Sequence, residues 1–554
     1  MRPARLAFIV ALALVGPVCF VAIGDSDAGW HLALGRLIAT QGLPHTNALT
    51  WTARDVPWYD TSWLWDLATY LLTARIGLIG LQLATLAALA AALWALCRAC
   101  AARDERGPWV VPAIALLLLP RIVVRPHLAT FAAVASVLAL CLLAEKRGPA
   151  LRAACLPIVA FAINLHSGAT FAAGLLGLFC LQAFAQRRRP VELAIGAGAV
   201  LALCANPGGL YDLRSMFFHL SVQQVVVIAE YLPPTLQGEP VFFVLLPLAL
   251  VLAWRRRRES PAHLAALFVF GALALRAVRM AYEFEIIAAP ALADGLALLR
   301  ARFGTRAQVA ALIAGTLLCG ASHRWDAHLL HKRYAPDWDA SALPVRAAAF
   351  ARNAALSGPA FNAYDYGGYF EWALPEVPAF VDGRVQCFPA DFFPRFYAAS
   401  HSPHAFQDYL RGLGVEWALT SRASPWLSGH GLLATPGWAL VYWDDLSEVW
   451  LRRDVARFAN TIAALEYRHF APRGSIVGNI AATPRAELEN YLAEVTRYQA
   501  TSPDDPFAAL VRCGVRTRAA NAQAPADCTR AESLAESPAM RALLERARAL
   551  PVAP

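Results

Sequence analysis

Charge is scarce in this chain. Of its 554 residues 16% are Asp, Glu, Lys or Arg, 58% are hydrophobic and the mean hydropathy is +0.44, a composition that excludes a soluble protein of this length. The marks of nucleotide and hydrolase chemistry are absent too: there is no Gly-rich phosphate loop, no G-x-S-x-G and no H-E-x-x-H. Most of the 11 cysteines lie in apolar runs, where cysteine acts as a small hydrophobe. Cys387, Cys513 and Cys528, in the more polar second part, show no C-x-x-C or zinc-ligand spacing. The net charge of +9 raises nucleic-acid binding, but the basic residues form short clusters between apolar runs, so no nucleic-acid partner is expected and the clusters read as membrane topology. No small-x-small cleavage site precedes the first polar loop, so Leu6 to Ile23, behind Arg2 and Arg5, reads as an uncleaved span.

What the chain has is a succession of apolar runs. After the first come about Ile76 to Leu96, Trp109 to Leu119, Leu128 to Ala144, Leu151 to Ile163, Phe171 to Phe184, Val191 to Cys204, Val241 to Trp254, His263 to Leu275, Ile286 to Leu299 and Val309 to Ala321. Several are shorter than the ~20 residues a span needs, so their ends must reach into flanking polar residues, and the count is about eleven. Trp63 to Ala74 mixes apolar residues with Asp66, Thr69 and Thr73 and is expected in the interface. The clusters Arg2/Arg5, Arg98/Arg103/Arg106, Lys146/Arg147/Arg152, Arg187/Arg188/Arg189, Arg255 to Arg258 and Arg300/Arg302/Arg306 fall on alternate loops. By the positive-inside rule that side is cytoplasmic.

The opposite side gathers other residues: Asp25, Asp27 and His31; Arg121, Arg125 and His127; Asn164 and His166; Asn206 and Glu230; Arg276, Arg279, Glu283 and Glu285. Polar groups at span ends mark function by default. The longest polar insertion is Gly24 to Asp66, opening GDSDAGWHLALG. Asp27 and His31, four apart, share a helix face, so His31 could orient Asp27. The plainer account is that Asp25 or Ser26 caps the helix and Asp27 favours its positive end. For the arginines the plainer account is snorkelling to headgroups, and for Asn164 and His166 it is satisfying helix ends.

From about Tyr334 the runs PAFNAYD, PAFVDGR, VEWALTSR, WALVYWDD and SEVWLRRD alternate with helix-like stretches, which predicts a small α/β domain over 334–454. Gly367, Gly368, Asp382 and Arg384 are expected to make its tight turns. An odd span count puts this domain outside the cytoplasm. Residues 455–554 predict a helical tail, and a Cys513–Cys528 disulfide is open there.

A first span, an acidic outer loop with a short interfacial helix, many further spans and an outer α/β domain resemble the GT-C superfamily of glycosyltransferases. DSDAGWHLALG (25–35), RPH (125–127), NLHSG (164–168), NPGG (206–209), YDYGGYFEW and FVDGR look more narrowly like a bacterial multi-span group without an assigned substrate. The resemblance implies a bundle over 1–333 whose catalytic outer loop is 24–66, in the bacterial inner (cytoplasmic) membrane. It implies a polyprenyl-phosphate-sugar donor held in the membrane lipid, and transfer to an extracytoplasmic glycan, lipid or protein of unknown identity. Such a donor already carries a good leaving group, so the chemistry needs a base and cations for the phosphate. Asp25 is the first choice of base, with Asp27 second and His31 beside them. Arg121, Arg125, His127, Arg276 and Arg279 are the phosphate ligands expected, and Asn164, His166 and Glu230 further pocket residues. Asp25 and Asp27 would be the pair to hold a divalent cation, if the enzyme uses one. Two other classes stay open: a lipid or glycan transporter or flippase, which should show inverted repeats and mid-span charges, and a non-catalytic assembly factor.

Overall fold

The computed structural model describes residues 2–211, 228–322, 325–330, 332–422, 433–471, 476–535 and 538–553. It divides into two compact units. The first comprises Met1–Ala48, Ala53–Trp338 and Arg384–Ala390, and the second Leu49–Thr52, Asp339–Gly383 and Asp391–Pro554.

The first unit is helical. Its helices are α1 (Arg2–Val15, prolonged by a 3-10 turn over Gly16–Phe20), α2 (Asp27–Gln41), α3 (Trp63–Ile76), α4 (Ile79–Arg103), α5 (Val111–Leu117), α6 (His127–Arg147), α7 (Ala150–Ala153), α8 (Cys155–Ala162), α9 (Ala169–Arg187), α10 (Pro190–Leu203), α11 (Pro240–Trp254), α12 (Pro261–Arg276) and α13 (Ala281–Ser322). Ala and Leu dominate them, and α10, α11 and α12 open on a proline, whose missing N–H is no loss at a helix start. Among the described residues four segments are long and apolar enough to cross a membrane: Pro3–Phe20, Ile79–Arg103, His127–Arg147 and Ala169–Arg187. Gly107–Leu117, Ala150–Ala162, Pro190–Leu203, Pro240–Trp254 and Pro261–Arg276 are apolar but shorter. The two last predicted runs lie in α13, which breaks at Gly304 with φ 82°, a conformation glycine adopts without strain.

The basic loops expected on one side do meet at one end of this bundle. Arg103, at the end of α4, donates to Glu145 Oε2 of α6 (3.2 Å) and Ser260 Oγ (2.9 Å). Gln182 of α9 reaches Glu145 Oε1 (3.3 Å), Arg187 donates to the Glu145 carbonyl (2.8 Å), and Arg256 pairs with Asp294 of α13 at 3.0 Å. Arg152 and Glu192, both almost fully buried, join in a fork of 2.7 and 2.5 Å. Removing one partner would strand a buried charge, a loss of about 3–5 kcal/mol.

Among the described residues of the second unit four strands form one sheet in the order β1 (Ala360–Asn362), β2 (Trp417–Ser421), β4 (Ser447–Arg452), β3 (Trp438–Trp443). β1 runs parallel to β2, the other pairings are antiparallel, and a bulge interrupts β3 between Leu440 and Tyr442. Nearly every strand residue is buried, as befits a sheet covered on both faces. PAFVDGR is not a strand. Pro378 offers no ladder N–H, and the segment is held singly: Ala379 N–H donates to Leu49 O (2.9 Å) and Phe380 N–H to Asn362 Oδ1 (2.7 Å). The tail is helical over 459–465, 476–482, 488–499, 506–518, 524–534 and 538–548. A disulfide joins Cys513 to Cys528. Trp443 of β3 packs on Tyr498 and Phe470, with ring centroids 4.2 and 4.8 Å apart.

Candidate functional site

All the groups described here belong to the first unit. Its first polar loop begins under restraint: Ala22 and Ile23 N–H donate to the carbonyls of Arg333 and Asp337 (both 2.8 Å), and Gln82 Nε2 bonds the carbonyls of Val21 (3.1 Å) and Ala335 (3.0 Å). The chain therefore delivers Asp25 and Asp27 from a fixed point. Arg125 lies in the turn before α6, where the following Pro126 restricts its backbone. Its Nε and Nη2 fork onto Asp25 at 2.5 and 2.8 Å, and its Nη1 reaches Asp27 Oδ2 at 2.9 Å. Asp25 Oδ1 also accepts the Asp27 N–H at 3.0 Å, so the capping account holds in part. The two carboxylates differ in commitment. Asp25 takes three hydrogen bonds, whereas Asp27 makes a single ion pair and its side chain is 24% exposed against 13%. Burial pushes the Asp27 carboxyl up; Arg125 opposes that, Asp25 adds to it, and the result is about 6.

Beside this pair stands a second tier. Glu230 accepts from Arg121 Nη1 through Oε2 and from Arg279 Nη1 through Oε1 (3.2 Å). Arg279 also lies over the Tyr231 ring, 4.7 Å from its centroid. Burial alone would raise Glu230, but Arg279, Arg121 and Arg125 together hold it down at about 2. Arg121 Nε is buried without an acceptor.

His31 does not orient Asp27. Its Nδ1 meets Asp66 Oδ1 of α3 at 2.6 Å with both side chains buried, because α2 and α3 pack backbone to backbone at Gly35: a Cβ there would stand 2.1 Å from the Asp66 carbonyl oxygen. Burial, then the charges of Arg125 and nearby groups, hold His31 well below the usual histidine range, so it is neutral. Asp66 neighbours Asp60. Burial raises both, and the Asp60 charge raises Asp66 further, so burial and mutual repulsion both oppose ionising the two together. Arg384, expected in a turn of the outer domain, instead belongs to this unit. Its guanidinium lies 5.6 and 5.0 Å from the ring centroids of Trp30 and Trp58, and Nη2 donates to Asn47 Oδ1 at 3.2 Å.

The remaining candidates are placed elsewhere. His127 Nε2 is bonded to the Arg121 carbonyl at 2.6 Å, closing the turn that carries both arginines. Asn164 accepts from Trp63 Nε1 (2.8 Å) and donates to the carbonyls of Ala160 and Ala205, and His166 Nδ1 accepts from Gly168 N–H and meets Thr130 Oγ1. Both finish helix ends. Arg276 is exposed at the end of α12. Of the expected residues, then, Asp25, Asp27, Arg121, Arg125, Arg279 and Glu230 form one cluster. Asp60, Asp66 and Arg384 escaped the sequence reading as site residues. An aspartate inside the largely apolar first half of α3 was a visible signal for Asp66, but nothing local marks Arg384.

As arranged, Asp25 and Asp27 do not fit a divalent cation. The Arg125 fork occupies three of their four oxygens, and among the described residues no group of three His, Cys, Asp or Glu is placed to hold a metal ion.

No protein-family model and no curated protein sequence matches the chain. Solved structures do. The archaeal oligosaccharyltransferase AglB from Archaeoglobus fulgidus, in complex with an inhibitory peptide and a dolichol-phosphate, superposes with a TM-score of 0.56 at 12% identity over 76% of this chain and 69% of that one. The Archaeoglobus fulgidus oligosaccharyltransferase complexed with Zn and sulfate gives 0.52 at 13% over 81% and 73%. The arabinofuranosyltransferase AftD from Mycobacteria gives 0.51 at 16% over 81% of this chain but 41% of its own length. At such identities the architecture is what is shared, and the chain has the fold of these glycosyltransferases.

Proposed function

We propose that the chain is a multi-pass membrane glycosyltransferase that moves a sugar from a polyprenyl-phosphate donor to an extracytoplasmic glycan, lipid or protein. The observation that carries this reading is the joined cluster of an acidic pair and three arginines on loops at one end of a GT-C fold. The acceptor hydroxyl oxygen attacks the anomeric carbon, the bond from that carbon to the phosphate oxygen breaks, and polyprenyl phosphate departs with the electron pair. The hydroxyl proton passes to a carboxylate. Within the pair the geometry favours Asp27 over Asp25, since Asp25 is more heavily engaged, by Arg125 and a backbone N–H, while Asp27 is more open and titrates at about 6. Arg121 and Arg279 stabilise the charge that develops on the leaving phosphate, and Arg125 holds the acidic pair in register.

With about eleven spans and the basic loops in the cytoplasm of a bacterial inner membrane, loop 24–66, the 334–454 domain and the helical tail lie outside. The alternate basic loops meeting at one end and the Cys513–Cys528 bond support that orientation.

The test is purified protein in nanodiscs with a panel of polyprenyl-phosphate sugars, following release of the lipid phosphate. Asp27→Asn should lose about 10²–10⁴ in turnover while keeping donor binding, and the wild-type rate should fall as pH drops below about 6. Arg121→Ala should weaken donor binding first. Full activity of folded Asp25→Asn, Asp27→Asn and double variants overturns the assignment.

A further inference from the structure

The Arg121–Arg279 clasp is occupied by the protein's own carboxylate. Glu230 sits on a 3-10 turn (Ala229–Tyr231) and spends both oxygens there, one on each arginine. The two arginines come from separate turns, one closing before α6 and one between α12 and α13. The fit is incomplete: a carboxylate has two oxygens, and Arg121 Nε remains buried with no acceptor. Arg125 cannot complete it while forked onto Asp25 and Asp27. A phosphate brings more acceptor oxygens in a tetrahedral array and can satisfy donors that a planar carboxylate leaves idle.

Charge points the same way. Arg121, Arg125 and Arg279 are balanced by Asp25, Asp27 and Glu230, so a lipid phosphate entering beside all three carboxylates would meet excess negative charge. Exchanging it for Glu230 restores the balance when the incoming group carries one negative charge, as a sugar-bearing phosphodiester does. The Glu230 side chain is 27% exposed, so it is not sealed inside the bundle.

We infer that Glu230 is a displaceable resident anion in the Arg121–Arg279 clasp, which a phosphate group must replace in order to bind. The inference rests on the reading above only in taking a lipid as the bearer of that phosphate. Glu230 thereby lowers the affinity of the empty clasp for any anion and favours one that outbids a carboxylate for two guanidinium groups.

Two probes separate the sources: undecaprenyl phosphate titrated into protein in nanodiscs, and inorganic phosphate titrated into protein in detergent. Glu230→Gln keeps the shape and removes the charge, and should tighten binding of both probes by about tenfold or more. Glu230→Asp, too short to span both arginines, should fall between wild type and Gln, and guards against a Gln variant that fails to fold. Equal or weaker binding by folded Glu230→Gln overturns the exchange while leaving the donor reading intact, provided that undecaprenyl phosphate binds. Tighter inorganic phosphate with no lipid binding supports the exchange and sinks the lipid donor. Failure of both probes to bind any of these proteins overturns both.

Discussion

Asp66 illustrates how one buried residue can set a pH dependence far from any catalytic step. An unfolded aspartate releases its proton near pH ~3.9, whereas burial and then the Asp60 charge keep Asp66 protonated well above that. Folding therefore takes up a proton across this interval, and stability is lost as pH rises from about 4 towards the raised folded value. Asp66→Asn removes the penalty and can still accept from His31, whose Nδ1 is 2.6 Å away. Its melting temperature should gain on wild type more at pH 8 than at pH 5. A gap that stays constant with pH, measured by scanning fluorimetry in nanodiscs, would show that folding does not raise the Asp66 carboxyl. At this scale the sequence was partly legible. Asp25, Asp27, Arg121, Arg125, Arg279 and Glu230 were visible as polar residues ending apolar runs, but whether a histidine faces Asp27 or Asp66 depends on how two helices pack, which spacing along one helix cannot tell.

Between elements, α2 and α3 approach each other closely. Gly35 has room for no Cβ, because the Asp66 carbonyl and Tyr70 Cβ stand 2.1 and 2.5 Å from where it would lie. Gly35→Ala should cost about 1–3 kcal/mol by forcing the helices apart, and it should break the His31–Asp66 contact at the same time. Unchanged melting and activity would refute that packing. In the tail, the Cys513–Cys528 bond closes a short loop between the helices 506–518 and 524–534. Cys513→Ala with Cys528→Ala should lose about 2–4 kcal/mol, read as a lower unfolding temperature of the second unit. Recovery of both native peptides as free thiols, from protein alkylated before lysis, would contradict the bond. Helices and strands here were mostly legible, since apolar runs and alternation fall close to the observed bounds. PAFVDGR misled because Phe380 and Val381 are buried like strand residues yet bond to the side chain of Asn362 at the end of β1 and not to a strand backbone.

For the whole molecule the testable statement is orientation. Exposed Arg54 and Ser533 lie on the side read as outer, and exposed Lys146 on the side read as cytoplasmic. Cysteines placed at the first two should react with an impermeant maleimide in intact cells, and one at Lys146 only after permeabilisation. The reverse pattern would sink the orientation and with it the transfer reaction, because the acidic pair would then face the cytoplasm.

The sequence by itself determined that this is a helical membrane chain with a small sheet after it, because hydropathy and charge alternation act locally and survive without any knowledge of neighbours. It also placed the acidic pair and the arginines near span ends. Only the tertiary structure decided which of them meet. Arg125 clamps Asp25 from a hundred residues away, Glu230 occupies the clasp between Arg121 and Arg279, and Arg384 reaches Trp30 and Trp58. Ion pairs and ring contacts of that range depend on the packing of helices distant in sequence, and a side chain's partner in a buried site is fixed by what the rest of the fold leaves beside it.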